Sequence, residues 1–423
     1  MCGIGGIFSL NYSNTQINSK LNLLTDLQHH RGPDGRKIWM DDNFKVGFAH
    51  NRLSIIDTTE KSTQPFVKNN YTIVFNGEIY NYRALRKELI SHGYFFETEG
   101  DTEVLLNSYI NWGKECLNKI NGMFSFAILD KKNNQLFCAR DPVGEKPFFY
   151  FNDINIFSFA SELNALKKIL DKNLKLNLES LTSFMTKNVR NISAPNSAYE
   201  QINKLRPGHY IIRKLNNDKI EEIPYLKFNY KSQYNETALY ESINLSKVSD
   251  VKISMLLSGG IDSILISLIL KKKYNLDFKS YTIGIDENDP DIINSKNFSS
   301  IIGIENETIY FDFENSFDRY KRLILNCGEP IALVPGLLYS DLFEKIRKDG
   351  CKVAITGNGA DEIFIGYKDI NKTIFTHLIN KNFKFLSKPL SKISNKFLFL
   401  GENVGKIKSS IAKNINNVKA PLI

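Results

Sequence analysis

The chain has 423 residues, 42% hydrophobic and 12% aromatic, which suits two or three packed domains and excludes a disordered or fibrous protein. Its net charge of +9 is carried by residues 367–423, with eleven Lys, no Arg and two acids. The rest is neutral, the Lys-rich stretch reads as amphipathic helix with a solvated face, and neither nucleic acid nor membrane is expected as a partner. Five scattered cysteines without a C-x-x-C pair, no basic leader before an apolar stretch, and no apolar run near ~18 residues suit a reduced, cytoplasmic protein processed only by loss of Met1.

The chain opens with Cys2 ahead of Gly3, and removal of Met1 gives that residue both a thiol and a free α-amine. A thiol with a reference pKa of about 8.5 needs a base, and an α-amine near 7.7–8.0 is one at neutral pH. Strands are then predicted at Gly3–Phe8, Val46–Ala49, Leu53–Ile56, Tyr71–Phe75, Phe124–Asp130, Gln135–Arg140, Phe148–Phe151 and Phe157–Ala160. Helical spacing appears at Tyr82–His92, with Leu85 and Leu89 on one face, and at Thr102–Trp112, with Val104, Leu105 and Tyr109. Sheets covered by helices are the expected packing. The turn at Leu205–Tyr210 and the polar stretch Leu215–Glu222 mark a domain edge, so the expected division is 1–212, a linker over 213–234, and 235–423.

The second half alternates strand and helix: Lys252–Leu257, Ser263–Lys273, Lys279–Ile285, Ile309–Phe313, a helix around Leu337–Lys348, and Cys351–Ile355. Its strands are continuous apolar runs, as in parallel strands buried on both faces, and predict a doubly wound α/β domain. Ser258-Gly259-Gly260-Ile261-Asp262-Ser263 joins the first of these strands to its helix, where glycines and a helix N-terminus favour a phosphate. It is neither a Walker A loop nor G-x-G-x-x-G. A tight turn accounts for the glycines but not for the two serines and the aspartate, and Asp262 is of the right type to hold Mg²⁺ against a pyrophosphate.

Taken together, the motifs resemble those of glutamine-dependent asparagine synthetases. The matching stretches run in order over nearly the whole chain: Cys2-Gly3-Ile4, His30-Arg31-Gly32-Pro33-Asp34, Arg52-Leu53-Ser54-Ile55-Ile56-Asp57, Asn76-Gly77-Glu78-Ile79-Tyr80-Asn81, Gly100-Asp101-Thr102-Glu103, Ala139-Arg140-Asp141, Gly144-Glu145-Lys146-Pro147 and Ala160-Ser161-Glu162. The SGGIDS loop, Glu329-Pro330-Ile331 and Gly359-Ala360-Asp361-Glu362-Ile363-Phe364 complete the series.

The resemblance implies a four-layer α+β N-terminal-nucleophile sandwich, with antiparallel sheets between helices, followed by an α/β ATP-pyrophosphatase domain. It assigns Cys2 as the nucleophile on the glutamine amide, and Asn76 with Gly77 as the oxyanion donors. Arg52, followed by Leu53, Ser54, Ile55 and Ile56, would take the glutamine carboxylate, and Glu78 and Asp101 its ammonium. Asp101 also suits a helix cap. ATP would lie on Leu257, Ser258, Gly259, Gly260, Asp262, Ser263, Ile283, Thr356 and Gly357, with Mg²⁺ at Asp262 and Asp361. Aspartate would be adenylated and then attacked by ammonia, delivered through a water-excluding passage. A different acceptor carboxylate, such as one on a surface sugar, a remnant with glutaminase activity alone, and a homodimer stay open. The histidines receive no catalytic role: His29 and His30 fall at a helix-to-loop transition and the others are isolated.

Two departures from the family pattern concern the second half. The family carries Gly-[Glu/Asp]-Gly where this chain has Gly357-Asn358-Gly359, and an amide cannot accept the proton of attacking ammonia. The family also continues with a basic helical segment, so the second domain is expected to be incomplete and asparagine formation poor.

Overall fold

The computed structural model describes residues 1–187, 189–217, 219–226, 235–332, 335–364 and 366. They form two compact units: Met1–Tyr234 with Val248–Val251 and Asp312–Leu337, and the remainder. The lysine-rich helix expected after residue 366 lies outside the described residues. Among them, no helix is long and apolar enough to cross a membrane, and all five cysteines are free.

The first unit runs β1 (Gly3–Ser9), α1 (Asn14–Leu27), β2 (Gly35–Asp41), β3 (Val46–Arg52), β4 (Phe66–Lys68), β5 (Tyr71–Ile79), α2 (Tyr82–Ser91), α3 (Asp101–Trp112), β6 (Gly122–Asp130), β7 (Gln135–Arg140), β8 (Phe149–Asn152), β9 (Ile156–Ala160), α4 (Leu163–Ile169), α5 (Leu178–Thr186), β10 (Ile202–Lys204), β11 (His209–Lys214) and β12 (Ile220–Pro224). Two six-stranded sheets result, ordered β10-β8-β9-β1-β3-β2 and β12-β11-β7-β6-β5-β4. Neighbouring strands within each pair antiparallel.

Period-two alternation sorts the side chains into three cores, which is what makes four layers. Ile4, Phe8, Val46 and Phe48 of one sheet meet Val74, Ala127, Leu129, Leu136 and Cys138 of the other. The intervening residues face outward: Ile7 and Ala49 pack under α1 and α4, and Ile73, Phe75, Phe126 and Phe137 under α2 and α3. Burial on both faces explains why these strands read as apolar runs. The fold is the α+β sandwich expected.

Some local expectations are corrected. Leu53–Ile56 is loop, because the Ser54 N–H donates to Asp34 Oδ2 at 2.8 Å instead of joining a ladder, and Asp57 turns the chain at φ +46°. Within the expected linker, residues 213–214 end β11 and residues 220–224 form the edge strand β12, whose exposed Glu221 and partly buried Glu222 give it the composition of a loop. β2 escaped notice because its exposed Arg36 and Lys37 hide the strand pattern.

Beyond residue 235 come α6 (Glu236–Ser246), β13 (Ile253–Leu256), α7 (Ile261–Leu268), β14 (Lys279–Gly284), α8 (Pro290–Ile302), β15 (Asn306–Tyr310), α9 (Ser316–Cys327), α10 (Pro335–Lys348), β16 (Val353–Ile355) and α11 (Ala360–Phe364). The sheet order is β15-β14-β13-β16, all parallel. Met255, Leu265, Leu268 and Ile269 form a core on one face, and Leu256, Tyr281, Leu342 and Ile346 on the other, as a doubly wound sheet requires. The strand expected at Ile309–Phe313 sits earlier, at Asn306–Tyr310. Asp312–Leu337, with α9 and Glu329-Pro330-Ile331, belongs to the first unit: Lys204 pairs with Glu329, and Ala332 N–H donates to Arg190 O at 2.9 Å.

Candidate functional site

Alternation carries the first site. In β1 and β3, Gly3 pairs with Asn51 and Ile4 with His50, and Cys2, just before β1, meets Leu53, just after β3. His50 and Arg52 share the parity of Phe48, and Asn76 and Glu78 that of Val74, so these side chains gather with Cys2 on the inter-sheet face. Cys2 Sγ accepts the Leu53 N–H at 3.4 Å and faces Leu53 O at 3.7 Å. Desolvation pushes the thiol up, against the smaller pull of the N-terminal amine, Lys146 and Arg31. Desolvation also lowers the N-terminal amine, here on Met1, to about 6.

Asn76 is 1% exposed and its Nδ2 has no hydrogen-bond partner. Such an orphan costs roughly 1–3 kcal/mol, which an incoming oxyanion would repay. Phe75 and Ile79 turn their N–H groups off the β6 edge, donating to Gln64 Oε1 at 2.6 Å and Asp101 Oδ2 at 2.9 Å. By the two-residue repeat, Gly77 between them turns its N–H to the same edge, beyond the end of β4. A Cβ on Gly77 would lie 2.1 Å from Met123 O, so only glycine fits.

The neighbouring acids are held partly protonated. Burial raises Glu78 to about 6, with Lys146 and the N-terminal amine pulling down. Burial raises Asp101 to about 7, Glu78 adding to the effect against the bond from Ile79. Asp101 is the first residue of α3, whose N-cap is Gly100, so the capping role is not its own. Arg52 is 9% exposed and donates to Thr59 O at 2.6 Å and to Asp57 O, shaping the 53–59 loop with two of its five N–H groups. In that loop Ile55 O accepts from Asp250, and Ile56 is buried against the α2–α3 core.

Four residues without an assigned role lie at or next to this site. Arg31 Nε donates to Cys2 O at 3.0 Å, and its Nη1 pairs with Glu162 at 3.2 Å, which His30 also contacts at 2.8 Å. Lys146 is 6% exposed, and desolvation lowers its pKa against Glu78, Glu145 and Cys2. All lie in sequence stretches already singled out by resemblance, and those stretches were the available signal.

In the second unit, the loop after β13 closes on itself. Ser258 and Ser263 hydroxyls meet at 3.1 Å, Ser258 N–H donates to Ser263 Oγ at 3.2 Å, and Gly259 takes φ +67°. α7 begins behind it with Gly260 as N-cap. A Cβ on Gly357 would stand 3.1 Å from Ser263 N and 3.3 Å from Asp262 Cβ, so the Thr356-Gly357 turn after β16 abuts this loop. Leu257 N–H donates to Tyr281 O at 2.9 Å, and its O accepts from Thr282 Oγ1 at 2.6 Å. Ile283 follows on β14, so the expected nucleotide contacts gather at the carboxyl ends of three adjacent strands. Asp361 lies in α11 and its O accepts from Gly366. Among the described residues, no group of three or more potential ligands gathers to hold a metal by itself.

The family described as a glutamine amidotransferase domain matches residues 1–226, and that described as asparagine synthase matches 235–417. The chain is 33% identical to the glutamine-hydrolysing asparagine synthetase 1 of Bacillus subtilis over 382 residues, covering 87% of this chain and 59% of that one. It is 30% identical to a putative asparagine synthetase of the same kind from Methanocaldococcus jannaschii, covering 92% and 78%. It is 28% identical to the amidase chry2 of Gibberella zeae, covering 87% and 59%.

Proposed function

Because the chain belongs to the family of glutamine-hydrolysing asparagine synthetases, we propose that its first unit hydrolyses glutamine at Cys2 and that its second uses ATP to amidate aspartate with the ammonia. The observation that carries the first half is the buried, unpartnered Asn76 Nδ2 on the face that Cys2 occupies. With Met1 removed, the α-amine of Cys2 takes the thiol proton, and Sγ bonds to the glutamine Cδ. The C=O electrons move to oxygen, where Asn76 Nδ2 and Gly77 N–H hold the charge. Removing one such donor typically costs ~10²–10³ in rate. Collapse expels the amide nitrogen, which takes the proton from the amine and leaves as ammonia. Water then hydrolyses the γ-glutamyl thioester to glutamate.

In the second unit, the Ser258–Ser263 loop and the α7 N-terminus would cradle ATP phosphates. Mg²⁺ is commonly held by one or two carboxylates plus phosphate oxygens, so Asp262 with Asp361 is a sufficient donor set, and the ion would neutralise the departing pyrophosphate. A coupled assay tests the scheme. With glutamine, aspartate and MgATP, the processed chain should release glutamate, and AMP and pyrophosphate formation should depend on aspartate. No glutamate release would overturn the first half, and no aspartate-dependent pyrophosphate the second.

A further inference from the structure

Asp57 lies between the two segments expected to hold the α-groups of glutamine. It is 8% exposed and takes φ +46°, a backbone that a non-glycine residue keeps only where its surroundings impose it. Its carboxylate collects four donors: Oδ1 accepts the Thr59 N–H at 3.1 Å and the Thr59 hydroxyl at 2.6 Å, and Oδ2 accepts the Ser62 hydroxyl and the Glu99 N–H at 2.9 Å. Burial works against the charge, but the bonds from Ser62, Thr59 and Glu99 outweigh it and hold the carboxyl at about 2. On one side of this hub, the Arg52 guanidinium donates to the carbonyls of Asp57 itself and of Thr59. On the other, Glu99 lies two residues before Asp101, and a Cβ on Gly100 between them would stand 3.5 Å from Asp57 Cβ and 2.8 Å from Ser62 Oγ. Asp250, in the stretch Val248–Val251 that folds with the first unit, ties the hub from outside: the Asp57 N–H donates to Asp250 Oδ2 at 2.8 Å, and the Asp250 N–H to Ile55 O at 3.0 Å. A turn from Asp57 to Thr59 shapes the loop by itself. The bond to Glu99, 42 residues along the chain, does something more: it fixes the distance between the two segments.

We propose that Asp57 is a positioning residue of the glutaminase site: its carboxylate ties the loop that holds Arg52 to the segment that carries Asp101, and so sets the spacing at which those two receive the α-carboxylate and α-ammonium of glutamine. Both α-groups are carried by one carbon, so their holders must keep a fixed separation. Asp57 acts through Arg52 and Asp101 and not on the reacting atoms. The inference rests on the glutaminase function proposed above and on the α-group contacts expected of Arg52 and Asp101. The α-groups are bound alike in the ground and transition states, so displacing their holders raises KM and leaves kcat nearly unchanged.

Asparagine tolerates the left-handed backbone as aspartate does, so Asp57→Asn keeps the turn and isolates the carboxylate. Its amide has one acceptor oxygen for the Thr59 and Glu99 N–H groups together, so one of the two segments loses its tie. Glutamine turnover, thermal midpoint and binding of three probes are measured for the processed parent and variant chains. The probes are glutamate, glutarate, which lacks the α-ammonium, and 4-aminobutyrate, which lacks the α-carboxylate. Asp57→Asn should raise KM at least ~10-fold, the size of one weakened charge-assisted contact, keep kcat within about 2-fold, and weaken glutamate binding as much as it raises KM. The analogue that lacks the group whose holder has moved should bind within about 2-fold of its parental affinity. Parental KM and glutamate affinity would overturn the inference, as would losses of kcat and of all three probes that merely follow the thermal midpoint. Where Asp57→Asn fails to fold, Asp250→Ala decides: this side chain is half exposed, its loss should raise KM at least ~3-fold at unchanged kcat, and an unchanged KM would overturn the inference. A parent that hydrolyses glutamine yet binds both analogues as tightly as glutamate would overturn the α-group contacts, and this inference with them, while leaving the glutaminase function standing. A parent that does not hydrolyse glutamine would overturn that function as well.

Discussion

Asp101, expected to face the ammonium of glutamine, carries a cost to the fold. Its carboxyl stands at about 7 in the folded chain because burial disfavours the charge, whereas an unfolded aspartate titrates near 3.9. Between roughly pH 4 and 7 the folded state thus binds more protons than the unfolded one, and stability falls as pH rises through that window. Asp101→Asn keeps an acceptor for the Ile79 N–H and removes the buried charge. It should raise the stability of the first unit at pH 8 by at least ~1 kcal/mol, since each tenfold change in proton affinity is worth about 1.4 kcal/mol, and flatten the pH dependence of unfolding. The same change should abolish glutamine binding. If Asp101 and Glu78 bind the ammonium as expected, glutamine affinity in the parent chain should decline as pH drops from 7.5 through 6, because Asp101 and then Glu78 lose their charge. Unfolding curves and glutamine titrations across that range check both, and an affinity indifferent to pH would contradict the assignment.

At the level of elements, β5 is where function is built into secondary structure. It is buried along nearly its whole length, yet past the end of β4 it presents N–H groups to side chains rather than to a strand. Gln64 and Asp101 satisfy two of them, and Gly77 lies between. Gly77→Ala would drive a methyl into Met123 O and Phe124 Cα, so β5 must leave β6 locally. Glutamine turnover should drop by at least ~10², the effect of losing an oxyanion donor, together with a clear loss of stability; near-parental turnover would show that Gly77 is not a donor. This strand was legible in sequence only to Phe75, since Asn-Gly-Glu reads as a turn when cross-strand partners are unknown. The helices α2 and α3 were legible almost to the residue, because an amphipathic stripe is a local signal.

Across the whole molecule, the chain forms two compact units, and Asp312–Leu337 folds with the first. That exchange is invisible in composition and rests on long-range contacts such as Lys204 with Glu329. The chain spans 59% of the length of the Bacillus subtilis relative. Within the second unit, Asn358 lies in the turn after β16, its N–H donating to Thr356 Oγ1 at 3.2 Å. An amide there takes up no proton from attacking ammonia, a function worth ~10²–10⁴ in rate where a base performs it. Glutamate release should therefore outrun asparagine formation severalfold in the coupled assay. Equal yields of the two would show that Asn358 does not limit amidation. The claim on which everything else depends is that Cys2 forms a covalent bond to the substrate. The direct measurement is mass spectrometry of the processed chain quenched in acid during glutamine turnover: one γ-glutamyl group should appear on the N-terminal peptide and be absent from Cys2→Ala. A chain that turns over glutamine with no such adduct, or a Cys2→Ala variant that releases glutamate at the parental rate, would contradict it.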